Sequence, residues 1–245
     1  MTHLGILGHS AEGAALCFRA FCQDAGELLG EHEHPDVTLD CISFARCMPA
    51  YERGDYAAVR DVMAVSLGRL AAAGADFFVC PDNTVHLALE HPGPAFPLPG
   101  LHIAEVVADQ AAADGRRKVG VLGTKYTMEG PIYPRALNAR GIDAEIPADA
   151  DGALVNDVIF GELVQGVFSD ESRRRFAGVI ERLRDVGCDA VALVCTEIPL
   201  LVRPAHSALP TLDSTRLLAA AALDVADGRR PLPRWRGGPV PAGGA

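Results

Sequence analysis

ADFFVCPDNT (75–84) sets an unbroken apolar run, Phe77 to Cys80, directly before the polar turn Asp82–Asn83–Thr84. A short run that is apolar at every residue, with no alternation, reads as a strand covered on both faces, the situation of a parallel sheet between helices. DAVALVCTEI (189–198) repeats the layout, its apolar run closing on Cys195 before Thr196 and Glu197. LGILG (4–8) and KVGVLG (118–123) form a second matching pair, each ending on glycine. Outward from these, helical patterns cover about 11–29, 103–114, 128–139, 171–186 and 215–225, and Val59, Met63, Leu67 and Leu70 recur at helical spacing. VTLDCISF (37–44) reads as a strand rich in β-branched residues, with shorter strands near 143–146 and 209–212. Strands alternating with helices predict an α/β protein with parallel sheets. The doubled pattern predicts two lobes related by a pseudo-twofold axis. Ligands in such folds sit beyond the carboxyl ends of the strands, so the four polar segments are expected to converge on one cleft.

Composition narrows the function. With 22 Lys+Arg against 32 Asp+Glu the chain carries a net charge of −10, which repels nucleic acid. No apolar run approaches the roughly 18 residues of a membrane span, and MTHLGILGHS has no basic segment to start a signal peptide. Seven cysteines, odd in number and without a CxxC pair, read as reduced thiols of a cytoplasmic protein. None has metal-site spacing with histidine, so no metal is expected, and the absence of GxGxxG and P-loop patterns argues against a nucleotide cofactor. The Pro/Gly-rich end, RRPLPRWRGGPVPAGGA (229–245), reads as a disordered tail.

GHS (8–10), DNT (82–84), GTKYT (123–127) and CTE (195–197) each offer hydroxyls or backbone N–H groups at a predicted helix start, a carboxylate-binding arrangement. A thiol at a helix N-terminus is shifted toward thiolate, which singles out Cys195. Asp82 lies at the corresponding place in the other half. Ser10, Asn83, Thr84, Thr124 and Thr196 are the candidate substrate-binding residues, with Glu197 placed to orient Thr196 or a contact between lobes. His9, Lys125 and Arg46 are further candidates for substrate contact. Ser10, Asn83, Thr124, Thr196 and Asp82 are equally readable, taken singly, as helix caps, and His9 reads more readily as a structural hydrogen-bonding residue.

GLHIAEVVADQ (100–110), VGVLGTKYTMEGPIYPRAL (119–137), VNDVIFGELVQGVFS (155–169), CTEIPLLV (195–202) and NTVH (83–86) together resemble the cofactor-independent aspartate/glutamate racemase superfamily, in its broad-specificity amino-acid racemase branch. The resemblance runs from about residue 4 to 226. It implies two flavodoxin-like lobes with the active site between them, the first formed by 1–97 and 211–228 and the second by 98–210. It also implies a small amino acid or related carboxylic acid as substrate, no cofactor, and a homodimer. In the family two acid/base residues, usually cysteines, flank the α-carbon; one removes the α-proton and the other returns one to the opposite face. Donors preorganised around the substrate carboxylate stabilise the dianionic intermediate. Cys195 matches the second-lobe cysteine.

The chain departs from the family pattern twice. The residue before Asn83–Thr84, normally cysteine and in some members threonine, is Asp82. A carboxylate is a weaker base than a thiolate by about four pKa units in the reference values, so Asp82 is read either as an acid/base residue raised by burial or as a ligand for an ammonium or hydroxyl group. Leu154 stands where members acting on acidic amino acids carry a lysine, which argues against aspartate and glutamate as substrates unless Arg46 or Lys125 compensates. Three functions stay open: a racemase or epimerase using Cys195 and Asp82, a single-thiol decarboxylase or cis–trans isomerase, and a binding protein without turnover.

Overall fold

The computed structural model describes residues 1–240. Its contacts divide the chain into two units, Met1–Val106 with the chain from Thr215 onward, and Val107–Ser214.

In the first unit β1 (Leu4–Gly8), α1 (Ala11–Leu29), β2 (Val37–Cys41), α2 (Met48–Glu52), α3 (Tyr56–Ala72), β3 (Phe77–Val79), α4 (His86–Leu89), β4 (Gly100–Leu101) and the start of α5 (Ile103–Ala113) follow in turn. All four strands are parallel, in the order β2-β1-β3-β4. The second unit continues with β5 (Lys118–Leu122), α6 (Lys125–Met128), α7 (Ile132–Asn138), β6 (Asp143–Glu145), α8 (Asp149–Gly161), α9 (Asp170–Asp185), β7 (Ala190–Leu193), α10 (Ile198–Leu201) and β8 (Thr211–Asp213). Its order, β6-β5-β7-β8, repeats that of the first. The chain then re-enters the first unit through α11 (Ser214–Ala226).

The central strands carry no polar side chain between their ends because helices cover both faces. Leu4, Ile6, Phe77 and Val79 pack against α1 and, from α11, Leu218 and Ala222. Leu7 and Phe78, on the opposite face, pack against Val59, Met63, Leu67 and Leu70 of α3. The close approach of α3 is why β1 carries glycine at position 5, where a Cβ would meet the Leu70 side chain at 3.3 Å.

Several expectations need correction. Strand β2 stops at Cys41, and 44–46 form a 3-10 turn. The helix expected over 128–139 is split at Gly130–Pro131, since proline has no N–H to continue the α6 ladder. The crossings between units fall at 106/107 and 214/215, not 97/98 and 210/211, because β4 pairs with β3 in the first sheet and β8 with β7 in the second.

The largest difference is the tail. Residues 231–240, read from composition as disordered, run back along the first unit: Gly100 N–H donates to Trp235 O, Phe96 N–H to Arg236 O and Gly238 N–H to Leu89 O, each at 2.8 Å. Trp235 is 6% exposed and its indole N–H is bonded to Gly238 O at 2.9 Å. Gly237 adopts φ +77°, and a Cβ there would lie 2.3 Å from the Phe96 ring, so the Pro/Gly composition shapes a packed turn. The expected disorder of 241–245 falls outside the described residues.

Candidate active site

The two sheets are pinned at the same point. Asp76 accepts from His3 N–H at 2.8 Å and donates its own N–H to His3 O at 2.9 Å, joining β3 to β1. In the second unit Asp189 accepts from the N–H groups of Arg117 and Lys118, at 2.9 and 3.3 Å, and donates to Lys118 O at 2.8 Å. Registers agree from there: Gly5 faces Phe78 as Gly120 faces Val191. Six residues beyond Asp76 comes Asp82, and six beyond Asp189 comes Cys195. The same count pairs Cys80 with Leu193, the last residue of β7, ahead of the turn. Accordingly Cys80 is fully buried, and burial followed by the nearby Asp82 charge pushes its thiol well above the usual range. His9 corresponds likewise to Thr124.

In the second unit Cys195 is 9% exposed, and its thiol donates to Glu197 Oε2 at 3.0 Å. The Thr196 hydroxyl donates to the same oxygen at 2.7 Å. Glu197 is 4% exposed, so a carboxylate desolvated in the loop is held by two donors from the adjoining residues. A carboxylate at this distance is placed as the adjacent base that activates a thiol. This revises the expected activation by a helix dipole. The helix after CTE, α10, is one turn long, and so are α4 and α6 after the DNT and GTKYT turns; only α1, with 19 residues, has a substantial dipole. Thr124 is buried and shares a 3.2 Å hydrogen bond with Thr127. Lys125 is exposed, its N–H donating to Asn156 Oδ1 at 3.1 Å and its ammonium lying 5.2 Å from the Tyr126 ring centroid. Leu154 is partly buried, packed against the core cluster of this unit that includes Leu122, Val155 and Ile159.

In the first unit Asp82 Oδ1 accepts the backbone N–H groups of Thr84 at 3.0 Å and Val85 at 3.4 Å, an Asx turn. Asn83 is 3% exposed, while Asp82 and Thr84 are half-buried. Ser10 caps α1, its Oγ accepting from Gly13 N–H at 3.2 Å. His9 is 2% exposed with its ring 4.9 Å from Phe44 and 6.2 Å from Tyr51. Among the described residues neither ring nitrogen of His9 nor the Tyr51 hydroxyl has a hydrogen-bond partner. Burial first and the charge of Asp82 second push the Tyr51 phenol up, which places this aromatic cluster within the field of Asp82. Arg46 is exposed on the 3-10 turn beside it. Phe44 and Tyr51 escaped the sequence reading because nothing in their spacing ties them to His9; the packing is tertiary. His86 is fully buried and bonded to Cys80 O at 3.0 Å.

Among the described residues no group of three or more His, Cys, Asp or Glu side chains is placed to hold a metal ion, and no helix is long and apolar enough to cross a membrane. The two turns hold a thiol–carboxylate pair in one unit and, at the equivalent position of the other, a carboxylate held by backbone donors.

The Asp/Glu/hydantoin racemase family profile matches residues 12–222. The chain belongs to this family. The crystal structure of a Yersinia pestis protein assigned as an Asp/Glu racemase superposes with a TM-score of 0.81 at 32% identity, covering 92% of this chain and 99% of that one. The broad specificity amino-acid racemase RacX of Bacillus subtilis is 27% identical over 62% of this chain and 65% of its own length. A glutamate racemase of Pseudomonas putida is 31% identical over 68% of this chain and 62% of its own. The matched region thus spans just under two thirds of these two relatives.

Proposed function

We propose that the protein is an amino-acid racemase or epimerase that works without a cofactor, with Cys195 and Asp82 as its two acid/base groups, and that its substrate has an uncharged distal end. The observation that carries this reading is the internal equivalence: Asp82 and Cys195 stand at the same count beyond Asp76 and Asp189, the residues that pin the two sheets. A racemase needs one proton-transferring group for each face of the α-carbon, and a duplicated fold supplies two equivalent positions. One group takes the α-proton, the electron pair passes onto the carboxylate, and the other group delivers a proton to the opposite face. Substrate and product then differ only in configuration, and the two groups have exchanged protonation states. Glu197 is placed to accept the proton of Cys195 when the thiol acts as a base.

Membership of the family and the likeness to RacX of Bacillus subtilis support amino acids as the substrate class. The preference for an uncharged distal end rests on Leu154, because burying an unpaired carboxylate against an apolar side chain costs several kcal/mol, about 2–7 by transfer scales for polar groups alone.

The test is an unbiased one. The proteinogenic amino acids, L and D series separately, are incubated with the protein in D₂O, and stereochemistry and deuterium at Cα are followed by chiral chromatography with mass detection. Inversion with one deuterium at Cα in a neutral amino acid is the expected result. No exchange in any member, or aspartate or glutamate as the fastest substrate, overturns the reading in whole or in its substrate part.

A further inference from the structure

Within the segment 231–240 that packs on the first unit, Trp235 lies against His86, the residue that follows the Asp82 turn. The Trp235 indole lies parallel to the His86 ring, at 14° and 6.1 Å, and edge-on to His102 at 5.0 Å. The two histidine rings meet at 4.4 Å, and His102 Nε2 is 2.8 Å from Glu90 Oε1. His86 in turn reaches back to Cys80 O at 3.0 Å. A carbonyl can only accept, so His86 Nε2 carries the hydrogen of that bond. His86 begins α4, after the Asp82 turn, and Cys80 directly follows β3. The imidazole therefore ties together the two ends of the loop from which the Asp82 side chain is presented, and Trp235 is the wall that holds the imidazole.

We propose that Trp235 is a positioning residue for Asp82, acting through His86, and that the C-terminal segment is a working part of the racemase rather than an appendage. The proposal rests on the reading of Asp82 as an acid/base group. Two features favour positioning over mere filling. Trp235 is anchored from its own segment by the bond to Gly238 O, and that segment is anchored at both ends, by Gly238 N–H to Leu89 O at the end of α4 and by Gly100 N–H to Trp235 O at β4. The indole is thus fixed relative to both the helix after the loop and the strand beside it. Proton transfer is sensitive to such placement, since about 1 Å of displacement costs on the order of 10²-fold in rate.

The experiment uses the full chain with Trp235→Leu, Trp235→Phe, His86→Asn and Asp82→Asn, each checked for folding by circular dichroism. The L and D series of the proteinogenic amino acids are exchanged separately in D₂O. Asp82→Asn first defines the faces: the enantiomer whose α-proton still exchanges is the one served by Cys195. Trp235→Leu and His86→Asn are expected to slow exchange of the other enantiomer about tenfold to a hundredfold, with KM unchanged and the Cys195 face at its wild-type rate. Trp235→Phe, which keeps a ring against His86, is expected to recover most of the loss. Equal losses on both faces, or no loss on the Asp82 face while Asp82→Asn remains selective, overturn the proposal and leave the two-base reading standing. If Asp82→Asn itself exchanges both enantiomers normally, the two-base reading falls and the proposal with it. Should Trp235→Leu fail to fold, His86→Asn alone decides, because it breaks the link to Cys80 O and leaves the tail in place.

Discussion

The turns after β3 and β7 occupy the same place in two copies of one topology, yet they hold their reactive groups in opposite ways. After β7 the thiol of Cys195 and the carboxylate of Glu197 hold each other, at 3.0 Å, side chain to side chain. After β3 the carboxylate of Asp82 is held by the main chain, through the N–H groups of Thr84 and Val85. A proton on Cys195 has a neighbouring acceptor; a charge on Asp82 has neighbouring donors. The first arrangement sets an acceptor beside the thiol within the loop, the second fixes the orientation of a carboxylate. Two equivalent positions can therefore serve opposite directions of a proton transfer without carrying the same residue.

That asymmetry is broken most severely at the two groups themselves. Cys195→Ser and Asp82→Asn are each expected to lower racemisation by about 10²–10⁴-fold, the range for loss of a positioned acid or base. They should differ in what survives, with exchange of one enantiomer persisting in Asp82→Asn and of the other in Cys195→Ser. The Asn amide oxygen still accepts the Thr84 and Val85 N–H groups, so an intact turn accompanies the loss. Full racemisation by Asp82→Asn would reduce Asp82 to a cap.

A smaller effect is expected from Glu197→Gln. The amide oxygen can still accept from Cys195 and Thr196 but cannot take up a proton. A fall in kcat of about fivefold to tenfold is expected, since the bond to the thiol passes from a charged to a neutral acceptor and loses about 1–1.5 kcal/mol, with KM near its original value. A wild-type kcat in this variant would mean that Glu197 only shapes the turn.

The mildest test compares thiols within one unit. Burial pushes the Cys188 thiol up to about 11, so it stays protonated and unreactive at pH 8, and its thiolate forms only as the pH approaches that value. In a Cys41→Ser background, which removes the exposed thiol, mass mapping after iodoacetamide at pH 8 should find Cys195 modified ahead of Cys188 and Cys80. Raising the pH toward 11 should recruit Cys188. Labelling of Cys188 before Cys195 at pH 8 would contradict the assignment of Cys195 as the activated thiol.

Much of the fold was legible because it is written locally. Runs such as Phe77–Cys80 and Ala190–Cys195 are apolar throughout since both faces are covered, and Ser10 and Asp55 cap α1 and α3 through their own side chains. Cys195 and Glu197 were legible for the same reason, being two residues apart. What composition hid was tertiary. The tail is rich in Pro and Gly, yet it contains the chain's one tryptophan, and a lone large aromatic in a segment read as disordered was the available signal. The His9, Phe44 and Tyr51 rings meet across three different elements, and no spacing rule connects them. For Asp82 the turn contact is local too, its oxygen accepting from the Thr84 N–H two residues on.

The return of the chain into the first unit has a consequence for synthesis. The second unit is one uninterrupted stretch, Val107–Ser214, whereas the first is assembled from both ends of the sequence. One face of its sheet, with Leu4, Ile6, Phe77 and Val79, is closed by Leu218 and Ala222, which are translated more than a hundred residues later. On the ribosome, where domains form as units in the order they emerge, the earlier-born strands must wait with an open apolar face while the later-born unit completes itself. The interval is spent by the part of the molecule that carries Asp82, and crowded or chaperone-poor expression should tax that part first.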